Sequence, residues 1–328
     1  MPRPKRQHFV PKAYLERFAR DGKVLVRRRD GRTFEADPIN VAVEAGMYDV
    51  PTPTGTSSAI EEALAEVDDQ AVLAMRAIDA AGRVPEYGSP PRQALSIFLA
   101  LQITRTPEAR ERAMFPLRVA EYIGDRPLSK ELMAEYLERV HLQFRPTDNE
   151  IWAAFDFVGY ALRDREALTP AFMWQVQLAS ITESAPTIHR MTWSLEVDRK
   201  ERLATSDTPM VQWRTPTPRD RFEGFGIMNA EEARFPLDPG KQLVLRHRGT
   251  AASARLGGER ARSCNADLAA GCYHFIIGRP DQRAAIAGLP LAEHRPVMRF
   301  NTAPGFEVGP DGVRRPIGDI LHTWVPRR

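Results

Sequence analysis

The segment RQHFVPKAYLERF, from Arg6 to Phe18, brings aromatic and apolar residues into the first turns of the chain. A dispensable N-terminus is more often polar and frayed, so we expect this segment to pack into the fold. The residues after Pro11 have helical spacing, with Tyr14, Leu15 and Phe18 on one face. The segment therefore predicts a short helix that is anchored in the core.

Beyond this segment, short β-prone runs at 23–26 and 33–35 flank Asp30-Gly31, which is typical of a hairpin. Apolar residues then recur with helical period, and near Pro186 short β-prone runs take over. The predicted helices are 60–82, 91–105, 107–123, 129–143, 149–163 and 170–184, and the predicted strands are 191–197, 210–213, 242–245, 273–277 and 297–300.

Runs of helices followed by runs of strands indicate an α+β fold and not alternating α/β. We predict a mainly helical part with a small N-terminal hairpin at residues 1–185. A mixed, mostly antiparallel β part follows at residues 186–328, and both parts belong to one integrated domain.

The composition restricts the class of protein. Hydrophobic residues make up 43% of 328, enough for a sizeable core, and the net charge is only +3. Of the 46 basic residues, 40 are arginine, which fits either phosphate recognition or the codon bias of a GC-rich genome. Cys264 and Cys272 lack CxxC spacing, so we expect reduced core cysteines. No apolar stretch resembles a signal peptide or a membrane span, so we expect a soluble cytoplasmic protein without membrane partners.

Two polar residues interrupt an otherwise apolar predicted helix. Ile97, Leu99 and Ile103 are among the apolar neighbours of Gln102, and Arg105 follows three residues later on the same side. A buried amide and guanidinium need partners, since leaving them unpaired costs a few kcal/mol. Gln102 and Arg105 could form the floor of a polar pocket. Alternatively, they form a structural network that holds the helix to a loop, or Arg105 is a helix end that reaches solvent.

Two carboxylates flank the apolar stripe of the preceding helix. Glu61 and Asp68 are seven residues apart, on one side of that helix. They could bind a cation or pair with Arg105. They could equally be ordinary charges at the edge of a core stripe.

Asp207 and His8 are the remaining candidates for chemistry. Ser206, Asp207 and Pro209 form a turn by composition, but an Asp at a strand end is also a common position for a catalytic base or a metal ligand. The seven histidines form no HxH or HExxH pattern, and His8 is singled out because it precedes a helix start, beside Gln7. Walker A, GxGxxG after a strand and GxSxG are absent from the sequence.

Several segments occur in an order that resembles the bacterial domain of unknown function 4238 family. They are QHFVPKAYLERFA, SAIEEALAEVDD, LQITRTPEAR, MTWSLEVDRKERLATSDTPMV, RFPLDPGKQLVL and SCNADLAAGCYHFIIG. The resemblance spans roughly residues 6–278. It implies no established activity.

The resemblance carries the family's polar positions onto this chain, where they fall on Gln7, His8, Gln102, Arg105, Thr106, Ser206, Asp207 and Asn265, with Glu61 as a plausible match. Thr208 stands where the family usually has Asn, and Asp68 where Glu is usual. Both changes alter the length of the polar side chain, which argues against a metal ion bound with tight geometry by Asp68 or Thr208.

Two hypotheses follow for the function. In the first, the protein is a hydrolase, such as a nuclease, acting on a phosphodiester or nucleotide. His8 is general base or metal ligand, Asp207 a metal ligand or orienter of His8, and Arg105 a stabiliser of phosphate charge, while Gln7, Gln102, Ser206 and Asn265 bind substrate. A divalent metal, and a nucleotide or nucleic acid, are the cofactor and the partner that fit this hypothesis.

In the second hypothesis, the protein is a non-catalytic ligand-sensing or defence-associated interaction module. The same polar residues then form a buried structural network that holds the N-terminal segment against the helices. The sequence does not decide between enzyme and module, and it identifies neither substrate nor metal.

Overall fold

The structure is a computed structural model that describes residues 6–48, 50–52, 55–57, 59–216, 226–302, 306–308, 314–316 and 320–325. Its helices are α1 (Lys12–Leu15), α2 (Ala59–Ala81), α3 (Pro90–Thr104), α4 (Pro107–Ile123), α5 (Lys130–Tyr136), α6 (Asp148–Ala161), α7 (Pro170–Ala179), α8 (Ile181–Arg190), α9 (Gly258–Gly271) and α10 (Arg283–Ala287).

The strands outnumber the helices but are short. They are β1 (Arg6–His8), β2 (Val24–Arg28), β3 (Thr33–Ala36), β4 (Val43–Ala45), β5 (Val50–Thr52), β6 (Gly55–Ser57), β7 (Thr192–Val197), β8 (Thr205–Ser206), β9 (Val211–Trp213), β10 (Glu232–Asp238), β11 (Lys241–Arg246), β12 (Ser253–Arg255), β13 (Phe275–Gly278), β14 (Val297–Thr302), β15 (Phe306–Val308), β16 (Arg314–Pro316) and β17 (Ile320–Val325). The predicted α+β class is confirmed.

The chain divides into two compact units. The first consists of Met1–Arg110, Trp174–Arg214 and Ile227–Glu293, and the second of Glu111–Met173, Thr215–Gly226 and His294–Arg328. The predicted boundary near residue 185 separates kinds of secondary structure, and as a domain boundary it stays a prediction.

The N-terminal segment is anchored in the first unit. Tyr14, Leu15 and Phe18 are completely buried, on α1 and the 3₁₀ turn that continues it. The Tyr14 hydroxyl donates to the carbonyl of Pro236 at 2.7 Å and shares a hydrogen bond of 2.7 Å with the hydroxyl of Thr205. The predicted helix and its core position are both confirmed.

Two sheets form the β part of the first unit. One has the strand order β12-β7-β11-β10-β9 and is antiparallel except for the parallel pair of β12 and β7. The other is wholly antiparallel, in the order β3-β2-β13-β8. The predicted hairpin at Asp30-Gly31 is the β2–β3 pair, and Gly31 has a positive φ of 84°, a conformation that glycine adopts without steric cost.

The two central strands of the four-stranded sheet, β2 and β13, have apolar residues packed on both faces. Val26 lies opposite Ile277, and both belong to the main apolar core of the unit. On the other face, Leu25 and Ile276 pack in a separate cluster with Leu268 of α9. Because side chains alternate along a strand, the residues of β2 and β13 divide between these two faces.

The helices differ from the prediction in detail. The predicted helix 170–184 is two helices, α7 and α8, and α8 continues through Pro186 to Arg190. A proline removes one backbone donor from a helix, and the packing of Ala185 and Ile188 in the core offsets that loss. The sequence did not predict α9, whose buried side chains are mostly small and therefore give a weak periodic signal.

The second unit has its own aromatic core. Phe115 of α4 lies 5.7 Å from Tyr136 of α5 and 4.7 Å from Phe300 of β14, ring centre to ring centre. α6 packs against β14, which pairs with β17. Within the described residues of both units, no helix is long and apolar enough to cross a membrane.

Candidate functional site

Gln7 fixes the N-terminal strand to its surroundings. β1 pairs with β4, and Gln7 is buried between them and α2. Its side-chain carbonyl accepts from the backbone N–H of Tyr48 at 2.7 Å, and its amide donates to the Glu61 carboxylate at 3.2 Å. The side chain therefore holds three pieces of chain together, and Glu61 takes part in this contact.

Arg105 lies at the end of α3 with only 1% of its side chain exposed. Its guanidinium donates to both oxygens of Asp68, at 3.1 and 2.7 Å, in a bidentate pair. With the amide of Gln102 oriented so that its oxygen faces the guanidinium, that oxygen accepts from Nε at 3.0 Å and also from Nη2. Burial opposes the charge of Arg105, but Asp68 and Tyr48 outweigh it and raise the pKa of the guanidinium. Of the roles considered for Asp68, the ion pair with Arg105 is the one present.

His8 is only partly buried. Its Nε2 lies 3.4 Å from the carbonyl oxygen of Pro38, which can only accept, so the proton of that contact belongs to Nε2. Burial lowers the pKa of His8, against the hydrogen bond to Pro38, and the nearby Arg6 and Lys12 lower it further. The imidazole is therefore neutral at pH 7, with Nδ1 as its acceptor atom.

Asp207 is completely buried at the end of β8. Its carboxylate accepts from the backbone N–H groups of Tyr273, at 2.8 Å, and of His274. Burial raises the pKa of Asp207 to about 7, against these hydrogen bonds. On the other side of the same segment, Arg29 donates to the carbonyls of Tyr273, at 3.0 Å, and of Cys272. The segment 272–274 is thus held by a carboxylate at its N–H groups and by a guanidinium at its carbonyls.

Ser206 and Asn265 also bind backbone. The Ser206 hydroxyl accepts from the N–H of Thr208 at 3.1 Å, which closes the turn after β8. The Asn265 side chain accepts from the N–H of Ala204 at 3.0 Å and donates to the carbonyl of Arg202 at 2.8 Å. Asn265 therefore ties α9 to the segment that leads into β8.

Apart from His8, which contacts Pro38, the predicted site residues form three separate sets. Gln7 and Arg105 have partners on α2, and Gln102 binds Arg105. Asp207 and Ser206 hold the turn after β8 and the segment 272–274, and Asn265 holds the segment 202–204. Across the described ranges, no hydrogen bond or ion pair joins His8, Arg105 and Asp207 to one another. The roles given to them by the sequence remain predictions.

A cavity of about 280 Å³ lies beside two of these sets. Its apolar lining consists of Phe9, Val26, Phe34, Val41, Pro107 and Phe275, together with Ala42 and Val43. Its polar lining consists of Arg28, Asn40, Glu44 and His274. Val26, Arg28, Phe34 and Phe275 occupy one face of the β3-β2-β13 sheet, since Phe34 is the cross-strand partner of Val26 and Phe275 that of Arg28.

The buried polar residues flank the lining of this cavity. Gln7 is two residues before Phe9, and Arg105 is two residues before Pro107. Asp207 binds the backbone of His274 directly. Asp207 therefore fixes backbone of the cavity wall directly, whereas Gln7 and Arg105 anchor the chain two residues before it.

The two charged side chains of the cavity lining differ in how closely they are paired. The Glu44 carboxylate is bound by Arg110. The Arg28 side chain is 48% exposed and lies 3.8 Å from Asp30, whose carboxylate is already bound by Arg32 at 2.9 and 2.6 Å. Arg28 is therefore the lining cation that is available to a ligand.

A second cavity, of about 430 Å³, is lined mainly by ion pairs. Arg17 and Lys241 both bind Asp79, at 2.9 and 2.7 Å, and both also bind Asp238, at 3.1 and 3.2 Å. Arg279 binds Glu201. These charges satisfy one another, and among the described residues Arg199 is the lining cation without an ion pair.

The sequence missed the residues that line the first cavity. His274 was one of seven isolated histidines, and Arg28 one of forty arginines, so neither had a local signal. Phe9, Phe34 and Phe275 resemble ordinary core residues in a sequence. In the part of the chain that the structure describes, no group of three or more His, Cys, Asp or Glu residues is arranged to hold a metal ion.

Comparison with known proteins identifies a family. Neither curated proteins nor solved structures include a match to the chain. A family model described as "Protein of unknown function (DUF4238)" matches residues 6–282. This range begins at β1, includes every predicted site residue and ends beyond β13, so the chain belongs to the DUF4238 family.

Proposed function

We propose that the protein is a non-catalytic ligand-sensing module, and that its ligand occupies the 280 Å³ cavity. The observation that carries this proposal is the arrangement of the buried polar residues. Gln7, Arg105 and Asp207 are each bound by groups of the protein itself. Asp207 binds the backbone of the lining residue His274, and Gln7 and Arg105 lie two residues before the lining residues Phe9 and Pro107. In this proposal, the three residues hold the cavity wall in position and do not act on a ligand.

The burial of Arg105 and Asp207 supports a positioning role. A group that acts on a substrate must come within hydrogen-bond distance of it. Arg105 is 1% exposed and Asp207 is not exposed, and the hydrogen-bonding atoms of both are directed at protein groups. Neither side chain has a direction left in which to meet a substrate without breaking these contacts.

The composition of the cavity supports ligand binding. Small-molecule sites are concave and mostly apolar, with a few polar groups that orient the ligand. The cavity combines three phenylalanines with the guanidinium of Arg28, and buried Asp207 binds the backbone of its lining residue His274. A wall fixed in advance reduces the ordering that binding requires.

The test is a thermal-shift screen of a small-molecule library against the wild-type protein and Val43→Phe, which fills the cavity from β4. Val176→Phe on α7, where Val176 is exposed, is the matched control. Compounds that stabilise the wild type and the control, but not Val43→Phe, support the proposal. Compounds that stabilise all three proteins equally, or a library without any stabilising compound, contradict it.

A hydrolase acting on a phosphodiester or nucleotide is the second candidate, and one observation favours it. His8 is partly exposed and its pKa is lowered by burial, so a neutral imidazole with an acceptor Nδ1 is present at pH 7. Such an imidazole can act as a general base. Hydrolysis of bis(p-nitrophenyl) phosphate with manganese should then be present in the wild type and lost in His8→Gln. An equal rate in both proteins, or no hydrolysis by either, contradicts this candidate.

A further inference from the structure

We propose that the 280 Å³ cavity binds a small aromatic carboxylate, with its ring on the phenylalanine-lined sheet face and its carboxylate at Arg28. The inference rests on the proposed ligand-binding function and adds the chemical class of the ligand. Three features of the described lining carry it: the aromatic side chains, the available guanidinium of Arg28 and the size.

The floor of the cavity is aromatic on both sides of β2. Phe34 of β3 and Phe275 of β13 flank β2 on the same face, and Phe9 lines the cavity from the end of β1. The His274 ring lies next to Phe275, 6.4 Å away with an interplanar angle of 26°. Aromatic side chains bind flat rings through offset-stacked and edge contacts. A planar apolar ligand body therefore suits this surface better than a sugar or a peptide.

One charged group is available to orient that body. Within the described residues, the Arg28 guanidinium makes no hydrogen bond, and its nearest carboxylate, on Asp30, is bound by Arg32. A guanidinium binds a carboxylate through two parallel hydrogen bonds. Arg28, whose side chain is 48% exposed, therefore suits an anionic group on the ligand.

The remaining charge of the lining favours a single negative charge on the ligand. Glu44 also lines the cavity, and although Arg110 binds it, its carboxylate is anionic. A phosphate monoester would bring nearly two negative charges toward one arginine and one carboxylate, with electrostatic repulsion as the result. A carboxylate brings one charge, which Arg28 alone can match.

The volume of the cavity favours a compact ligand. Sites for drug-sized molecules typically measure about 300–1,000 Å³. At about 280 Å³, this cavity lies just below that range, so a compact ligand suits it better than a drug-sized one. The size therefore agrees with a compact aromatic acid.

The test compares 2-naphthoate with its neutral isostere 2-naphthamide by isothermal titration calorimetry. The proteins are the wild type, Arg28→Gln and the control Arg83→Gln, which removes an exposed arginine that lines neither cavity. We expect 2-naphthoate to bind about tenfold more weakly to Arg28→Gln than to the wild type, with no change in the control. We expect 2-naphthamide to bind the wild type more weakly than 2-naphthoate does and to be insensitive to Arg28→Gln.

Equal binding of both probes overturns the choice of an anion but leaves the ligand-binding function in place. Absence of binding by both probes at about 1 mM overturns the aromatic carboxylate. In that case, library compounds that lose their effect in Val43→Phe still support a ligand site of other chemistry, whereas a library without such compounds also removes the proposed function. Circular dichroism of Arg28→Gln separates lost binding from lost folding, and an exposed side chain is expected to leave the fold intact.

Discussion

Replacement of Arg105 by methionine is expected to lower the free energy of unfolding of the first unit by about 3 kcal/mol. Methionine fills a similar length but removes every donor, so the Asp68 carboxylate and the buried Gln102 oxygen lose their partners. Breaking a buried ion pair typically costs about 3–5 kcal/mol. The lower end of this range applies, because 20% of the Asp68 side chain is exposed and water can partly solvate its charge.

This change should be visible as a shift of the thermal midpoint. For a unit of roughly 200 residues, each kcal/mol corresponds to about 2–4 °C, so Arg105→Met should unfold about 6–12 °C below the wild type. Urea denaturation followed by circular dichroism gives the free energy directly. The matched control is Arg83→Met, whose ion pair with Glu86 is highly exposed and should contribute less than about 1 kcal/mol.

A double variant tests whether the loss comes from the unpaired charge. Adding Asp68→Leu to Arg105→Met removes the uncompensated carboxylate, and we expect it to restore more than half of the lost stability. A loss in Arg105→Met no larger than in Arg83→Met would refute the reasoning. It would also return Arg105 to the candidates for catalysis, since functional residues often tolerate replacement without loss of stability.

Three further predictions concern the other buried residues. Because burial raises the pKa of Asp207 from 3.8 to about 7, its contribution to stability is complete below pH 3.8 and is lost as the pH rises to about 7. Asp207→Asn should therefore reduce the loss of urea stability between pH 5 and pH 8, and an unchanged loss would contradict this. Asn265→Leu leaves the Ala204 N–H and the Arg202 carbonyl unpaired, so it should lower the free energy of unfolding by about 2 kcal/mol. Urea denaturation measures this, and a loss below about 0.5 kcal/mol would contradict it. Burial raises the pKa of the Cys272 thiol, so iodoacetamide at pH 8 should modify Cys272 only after unfolding, and rapid labelling of the native protein in a mass spectrum would contradict this.

Local patterns in the sequence predicted much of the secondary structure. The Asp30-Gly31 turn and the helical period of α2 depend on neighbouring residues, so a sequence can encode them directly. The ion pair of Arg105 could also be predicted as one of the alternatives. An arginine near the end of an apolar helix needs an acid, and Asp68 on the preceding helix was one of the candidates.

The partners of Asp207 could not be predicted in this way. Its carboxylate binds the N–H groups of Tyr273 and His274, which are more than sixty residues away and carry no side-chain signal for the contact. The pairing of β8 with β13 brings them together, and that pairing is a property of the sheet. The sequence suggested that Asp207 orients His8, but among the described residues the two share no hydrogen bond.

The cavity could not be predicted from the sequence for a related reason. Its lining combines Phe9, the run 40–44, residues of β2 and β3, residues 274–275 and the start of α4, so no single contiguous motif represents all of it. In a strand, a phenylalanine that faces a cavity and one that faces the core occupy the same alternating positions. Only the three-dimensional arrangement distinguishes the two.

The segment 272–274 gives a physical reason to connect the buried polar residues with the cavity. Asp207 accepts hydrogen bonds from the N–H groups of this segment, and Arg29 donates to its carbonyls. Both kinds of backbone group are therefore fixed by ionisable side chains. Burying such groups is costly, and well-packed apolar residues often give equal or greater stability. A core that served folding alone would therefore not require this pair. The cost becomes understandable if the backbone that carries His274 and Phe275 must keep one conformation, because a ligand site loses affinity when its wall has to be ordered on binding.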